Sequence, residues 1–543
     1  WNEGNLTQTA QYNDETAGDK IYKGSATSGA DYYQYQPVLP YAKSPNTTGS
    51  GDSLADFAMR YWKTDLRTDL SNLVPATISN VAYWQHMVTF ALSIGLRGTL
   101  DPDKDLAAVT DGTKSFPPNI NYELKNLVPG TIDDLWHATI NSRGKFEVAY
   151  DHEDFARALR SALAEITRRT GSGSNVSANS VSVSATTLVY QASYIAGDFT
   201  GDVTAYPIVG GKVDTSAPAW NASAKMPAWD SRKIFTIDGG SGTTFPSGSQ
   251  AATIGSTAVV EYLMGNQKYA IDGTGDPDFD YIYRKRVNNN VLGDIVNSSP
   301  SYLKDNDTVY IGANDGMLHA FDGSSGVERF AFVPNGIDFN KLKLLSDSKN
   351  YIHEFFVDGP VVVSTKKQTS NKNYLVGTLG RGGKGLYGLD VTDSAGFKAS
   401  NVLWEINSDA DGYMGYMISR PIITKVKHGG VTKNVVVVSN GINSTANRPA
   451  LFVIDIATGT ILDTLAPGLG DPSVKGTPTI GNGLSAPTGV DSDADGYIDD
   501  VYAGDLLGNV WKFNLSTNFT AKGDWVIGNG DKPLFKAVDA GGN

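Results

Sequence analysis

Near the end of the chain, Asp491-Ser-Asp493-Ala-Asp495-Gly496-Tyr497-Ile-Asp499-Asp500 gathers five aspartates in ten residues. Side chains at loop positions 1, 3 and 5 converge on one point when a glycine at position 6 turns the chain sharply. Position 7 then offers its carbonyl and position 9 completes the set. Asp491, Asp493, Asp495, the Tyr497 carbonyl and Asp499 fill these places. All are oxygen donors, which suits Ca²⁺, a hard ion that takes six to eight oxygens at about 2.3–2.6 Å. Mg²⁺ suits the pattern less, because it demands near-ideal octahedral geometry and keeps its waters. Position 12 is Tyr502, where a helix-flanked calcium loop carries a bidentate Glu, and Val501-Tyr-Ala-Gly reads as a strand. The expectation is a calcium-binding loop over residues 491–500 on a β-hairpin. Crowded aspartates repel by roughly 1 kcal/mol per close pair in water-like dielectric. A dication would remove that penalty; a solvated acidic turn is the alternative.

Other clusters fall short of a site. Asn407-Ser-Asp409-Ala-Asp411-Gly-Tyr413 imitates the first half of the loop, but its ninth position is Gly415, so it reads as a turn between strands. Asp272, Asp276, Asp278 and Asp280 lack ligand spacing and read as a solvated loop. Asp322-Gly-Ser-Ser lacks the further spaced Ser of a metal-adhesion motif. The six His are scattered, and no Gly-x-Ser-x-Gly elbow, P-loop or His-Glu-x-x-His occurs. Cysteine is absent, which excludes disulfide scaffolds, thiolate metal sites and cysteine nucleophiles. No catalytic set stands out, so the chain is not expected to be an enzyme. Its net charge of −13 repels phosphate and argues against nucleic acid as a partner. The longest nearly apolar run, Met87–Leu96, is about half of what a transmembrane segment requires.

The elements that must position the loop show themselves as a repeat. A Pro-containing strand recurs around Pro300, Pro360, Pro421 and Pro478, at spacings of 60, 61 and 57 residues. In step with it, strands ending near Gly312, Gly377, Gly441 and Gly504 lead into Leu318–Asp322, Leu386–Asp390, Leu451–Asp455 and Val510–Asn514. Turns rich in Asp, Gly and Ser follow, and 59 glycines with 55 aromatic residues suit a turn-rich β protein. A period near 60 built from several short strands predicts a mainly β chain, a β-propeller, because a lone four-stranded sheet cannot bury both faces. A β-sandwich with coincidental turns is the alternative. Tyr190–Ile208 and Lys233–Phe245 read as degenerate blades, Trp404 and Trp511 as core. The chain stops at Asn543 before the next expected Pro strand, which reads as an incomplete ring.

The first 170 residues mix helix and strand signals. Ser53 is placed to cap a helix through Leu54, Phe57, Ala58, Tyr61 and Trp62, and Met87–Leu96 reads as a buried strand. Asp151–Arg169 carries acidic residues first, an apolar stripe, and Arg168-Arg169 last, as a helix does. Gly171–Ser180 reads as a flexible polar linker. The expected organisation is an α/β segment over 1–170, a linker over 171–187 and a propeller over 188–543. Trp1 opens a polar stretch without initiator Met or signal peptide, which reads as a processed or trimmed chain.

Four strings resemble the PilY/PilC-type proteins of type IV pili: Val291–Pro300, Gly312–Asp322, Gly380–Val391 and Tyr502–Asn514. The likeness covers roughly residues 188–543, and Trp84–Pro102 with Trp136–Gly171 is similar to the end of that family's von Willebrand factor A-like domain. The resemblance implies quinoprotein-like blades and a tip-located surface protein, outside the cell or on the outer membrane. It implies that the protein primes pilus assembly with minor pilins and adheres to host-cell or abiotic surfaces. It also implies a Ca²⁺ loop held by Asp491, Asp493, Asp495, Asp499 and the Tyr497 carbonyl, with occupancy tuning extension against retraction and hence twitching motility. The family's adhesion motif would lie upstream of Trp1, and no Arg-Gly-Asp occurs. Rival readings are a quinoprotein-type dehydrogenase and a structural propeller with a vestigial loop.

Overall fold

The structure, a computed structural model, describes residues 14–42, 53–74, 80–102, 104–117, 129–150, 155–156, 158–159, 172–178 (backbone), 187–195, 199–268, 283–348, 351–477, 481–521 and 523–537. Most of the helix expected over Asp151–Arg169, the Asp272–Asp280 cluster and Pro478 lie outside these residues. The chain divides into two compact units between Gly171 and Ser172, the first also taking residues 196–198.

In the first unit, β1 (Ile21–Tyr22) and β2 (Tyr32–Tyr33) pair antiparallel. Ser53 caps α1 (Leu54–Trp62): its hydroxyl accepts from the Asp56 N–H, and the Asp56 carboxylate accepts from the Ser53 N–H. The buried face of α1 brings Trp62 against Trp84, with ring centroids 5.4 Å apart. Next come β3 (Ala91–Ile94), α2 (Leu106–Asp111), α3 (Pro129–Asn141) and β4 (Phe146–Ala149). β3 and β4 are parallel, with α3 in the crossover, an α/β arrangement. The buried strand expected over Met87–Leu96 is shorter and less covered than its composition suggests. Only Ala91–Ile94 pairs, and Ile94 and Leu96 are exposed, because β4 is its one sheet neighbour among the described residues.

Among the described residues, the second unit is a succession of five sheets. The first holds β5 (Ser172–Ala178), β6 (Leu188–Ile195), β7 (Thr200–Val209), β8 (Lys212–Val213) and β9 (Trp220–Asn221). The second holds β10 (Ile234–Asp238), β11 (Ser241–Thr244), β12 (Ser301–Leu303), β13 (Thr308–Gly312), β14 (Leu318–Asp322) and β15 (Glu328–Val333), with α4 (Gly248–Ile254) and α5 (Thr257–Met264) inserted after β11. The third runs β16 (Val361–Val363), β17 (Tyr374–Thr378), β18 (Leu386–Asp390), β19 (Val402–Ile406). The fourth runs β20 (Ile422–His428), β21 (Val431–Ser439), β22 (Leu451–Asp455), β23 (Ile461–Leu465). The fifth holds β24 (Thr488–Val490), β25 (Asp500–Gly504), β26 (Asn509–Asn514), β27 (Val526–Ile527) and β28 (Phe535–Lys536).

Both faces of the central strands are apolar, and each face finds a different neighbour. Val435 and Val437 of β21 enter the core shared with the fifth sheet, whereas Val436 and Val438 enter the core shared with the third. Equivalent cores join the first sheet to the second, through Tyr190, Val203 and Ile311, and the second to the third, through Leu303, Phe330 and Leu389. Four-stranded antiparallel sheets packed face to face in chain order are the blades of a β-propeller, as the 60-residue repeat predicts. Pro300, Pro360 and Pro421 directly precede β12, β16 and β20, where a missing N–H removes no ladder bond. The expected core role of Trp404 is seen in detail: its indole N–H donates to the Ile456 carbonyl of the next blade at 2.8 Å. Its ring covers Gly459, where φ is +72° and a Cβ would come within 2.5 Å of the indole.

Three expectations need correction. Residues 172–178 are not linker; they form β5 and pair with β6, because the Ser-rich segment still offers backbone donors and acceptors to an open strand. Lys233–Phe245 is not a blade of its own. β10 adds in parallel to β15, with Ile234 opposite Ala331, and extends the second sheet outward. The short-strand repeat gives no sign of helices beyond residue 180, yet α4 and α5, capped by Ser247 and Ser256, pack Ile254, Val259 and Leu263 into the core of the second and third blades.

The second blade also buries charge. Arg232 donates to both oxygens of Glu328, at 2.7 and 2.8 Å. The His319 ring lies between Glu328 (2.7 Å) and Asp315 (3.1 Å). Burial alone would lower the His319 pKa, but the Asp315 and Glu328 carboxylates outweigh it and raise it from 6.5 to about 9. His319 thus contributes stability that is fully present below pH 6.5 and is lost as pH rises through about 9. The urea midpoint should fall across that window, and fall less in His319→Gln. Trp404→Ala should cost about 3–5 kcal/mol by urea unfolding, against less than about 0.5 for the exposed Leu506→Ala.

Candidate metal centre

The acidic loop, 491–499, is the nine-residue connection of the hairpin between β24 and β25. The ladder pairs Thr488 with Tyr502, Gly489 with Val501 and Val490 with Asp500, and the Asp499 N–H closes it on the Val490 carbonyl at 2.9 Å. Ile498 anchors the base by entering the core between the fourth and fifth blades. The Asp499 carbonyl accepts from the Leu515 N–H at 2.7 Å.

Within the loop, carboxylates organise the backbone. Asp491 accepts from the N–H groups of Asp495 (3.2 Å) and Gly496 (2.8 Å), and Asp493 accepts from Asp495 (3.2 Å). The N–H of Ser492 donates to Asp499 at 2.7 Å, and the Ser492 hydroxyl donates to the same oxygen. Those bonds, the hydroxyl first, hold the Asp499 carboxyl below the ordinary carboxylate range. The turn needs left-handed backbone at Ala494 (φ +61°) and Gly496 (φ +88°).

The result is convergence. One carboxylate oxygen from each of Asp491, Asp493 and Asp499 lies within 4.8 Å of the others. Oxygens that share an ion at about 2.4 Å can stand no farther apart than about twice that distance, so this set has the span of a calcium cage. The Tyr497 carbonyl accepts no hydrogen bond from the described residues. The donors are all oxygen, which selects hard cations over thiophilic or imidazole-seeking ones. Asp495 stands apart from the other expected ligands. One of its oxygens accepts from the Tyr497 N–H at 2.9 Å, and the other faces Lys427 at 3.9 Å. Sequence reasoning missed Ser492 and Lys427; Ser492 sits inside the motif, whereas nothing near Lys427 in the chain points to the loop.

The other acidic turns close on themselves. Asp409 accepts from the N–H groups of Asp411, Tyr413 and Met414, and Asp322 from the N–H and hydroxyl groups of Ser324 and Ser325. Among the described residues, the group at Asp491, Asp493 and Asp499 is the one arrangement of three or more such side chains that could hold a metal. Gly496→Ala should destabilise the loop by about 1 kcal/mol. The measurement is hydrogen exchange, faster over 491–499 with β26 unchanged.

Residues 298–543 match the family model of the PilY1 beta-propeller domain. Over 98% of its length the chain is 31% identical to the type IV pilus biogenesis factor PilY1 of Pseudomonas aeruginosa, covering 51% of that protein. A PilY1 homolog of Xylella fastidiosa is 33% identical over 86% of this chain and 40% of its own length. The chain therefore spans about half the length of the curated relatives it matches. The crystal structure of the P. aeruginosa PilY1 C-terminal domain is 36% identical over 44% of this chain and 48% of that chain, with a TM-score of 0.34. The chain is similar to PilY1 over almost its whole length, and its residues 298–543 are similar to the PilY1 β-propeller domain.

Proposed function

We propose that this chain acts in type IV pilus biogenesis as a calcium-responsive, non-enzymatic surface protein, with minor pilins at the pilus tip as partners. In this reading it works outside the cell, balances extension against retraction in twitching, and contributes to adhesion. The N-terminal unit, with its parallel β3–α3–β4 arrangement, would be the end of a von Willebrand factor A-like domain. Support comes from relatives named as pilus biogenesis factors. Among the described residues, no helix is long and apolar enough to cross a membrane.

One observation carries the calcium reading: the meeting of Asp491, Asp493 and Asp499 in an oxygen-only cage on a PilY1-type propeller. A bound Ca²⁺ would offset two of the three negative charges and tie the loop tip to its base. Asp491 follows β24, Asp493 belongs to the tip, and Asp499 precedes β25, so the ligands span the whole turn. Asp495 and the Tyr497 carbonyl complete the proposed ligand set. Ser492 orients Asp499, and Ile498 holds the loop's base in the core.

Titration of Ca²⁺ into chelator-treated protein should give one saturable heat, abolished in Asp491→Asn/Asp499→Asn. At 100 times Kd the ion should stabilise the native state by about 2.7 kcal/mol in thermal unfolding. No heat with the wild-type chain would overturn the calcium reading.

A further inference from the structure

Among the described residues, one cation lies within 4 Å of the carboxylates of Asp491, Asp493, Asp495 and Asp499, and it comes from the preceding blade. Lys427, on β20, places its ammonium 3.9 Å from the Asp495 carboxylate and 5.1 Å from the centre of the Tyr497 ring. Two more contacts fix the loop to the same sheet. The Ile498 N–H donates to the Lys425 carbonyl at 3.2 Å, and the hydroxyls of Tyr497 and Thr432 lie 2.6 Å apart. Two other nearby lysines are engaged elsewhere: Lys433 with Asp455 at 2.6 Å, and Lys512 with Asp500 at 2.8 Å. Among the described residues, Lys427 is the one cation within 4 Å of a carboxylate in the set Asp491, Asp493, Asp495 and Asp499.

As an ion pair the contact is half solvated, with side-chain exposures of 53% and 38%, and adds little to stability. Toward an incoming dication its effect is larger. The repulsion scales with the product of the charges, and the ammonium already faces one Asp495 oxygen. Asp495 is outside the group formed by Asp491, Asp493 and Asp499, with one oxygen toward Lys427 and the other on the Tyr497 N–H.

We propose that Lys427 is a resident counter-cation of the loop, which neutralises Asp495 in the ion-free protein and competes with a divalent ion for that carboxylate, thereby setting the site's affinity. The proposal rests on the calcium reading above. Because Lys427 belongs to β20, ion occupancy would also be felt by the fourth blade, through the loss of its contact with the loop.

The test is calorimetric titration of Ca²⁺ into the full chain, as wild type, Lys427→Gln and Lys427→Arg, at low and high salt. Lys427→Gln should bind about three- to tenfold more tightly at low ionic strength, with the gap narrowing as salt screens the charge. Lys427→Arg keeps the charge and should bind like wild type. Equal or weaker binding by Lys427→Gln, with wild-type binding intact, would overturn the role of Lys427 and leave the calcium site standing. Absence of binding in all three would remove the site and the role together.

Discussion

A sheet with two apolar faces cannot exist alone, and that constraint shapes the second unit. Alternate side chains of β13, β17, β21 and β22 point to opposite faces, and both sets are buried. Burial at about 25 cal/mol per Å² is available only if each sheet has a neighbour on either side. Successive sheets therefore stack, and four separate apolar cores form at the interfaces. Trp404 shows how closely the blades interlock: its ring fills the space above Gly459, and its N–H satisfies a carbonyl of the next blade.

The acidic hairpin depends on the same stacking. Ile498 sits in the core between the fourth and fifth blades, so the loop's base cannot drift. With its ends held, the loop can draw three like charges together, which free peptide would resist. Carboxylates that cap N–H groups at Asp495, Gly496 and Ser492 are already oriented, so little reordering remains for ligand binding. The fourth blade touches the loop through Lys425, Lys427 and Thr432, which makes the site a property of two blades and not of one hairpin.

Repeats were legible because each blade solves the same packing problem with the same residues. Pro before the first strand, glycine near the end of the second and Leu-x-x-x-Asp in the third (Val-x-x-x-Asn in the last repeat) recur at similar spacings. The metal motif was legible for a similar reason: a sharp turn with ligands at alternate positions is a local requirement. What escaped was non-local. The parallel pairing of β10 with β15 joins segments about a hundred residues apart, and β5 is recruited from a Ser- and Gly-rich stretch by its partner strand. The helices α4 and α5 are short, and their N-caps were hidden in polar sequence.

By itself, the sequence determined the blade period, the apolar character of both strand faces, and the identity and order of the oxygen donors in the hairpin. These are matters of local spacing and residue type. Only the tertiary structure decided which carboxylates meet, that Asp495 is turned toward Lys427, and that a buried Arg232–Glu328–His319–Asp315 chain runs through the second blade. Those outcomes depend on charges brought together from distant segments, and their Coulomb energies exist only once the chain has placed them within a few ångströms.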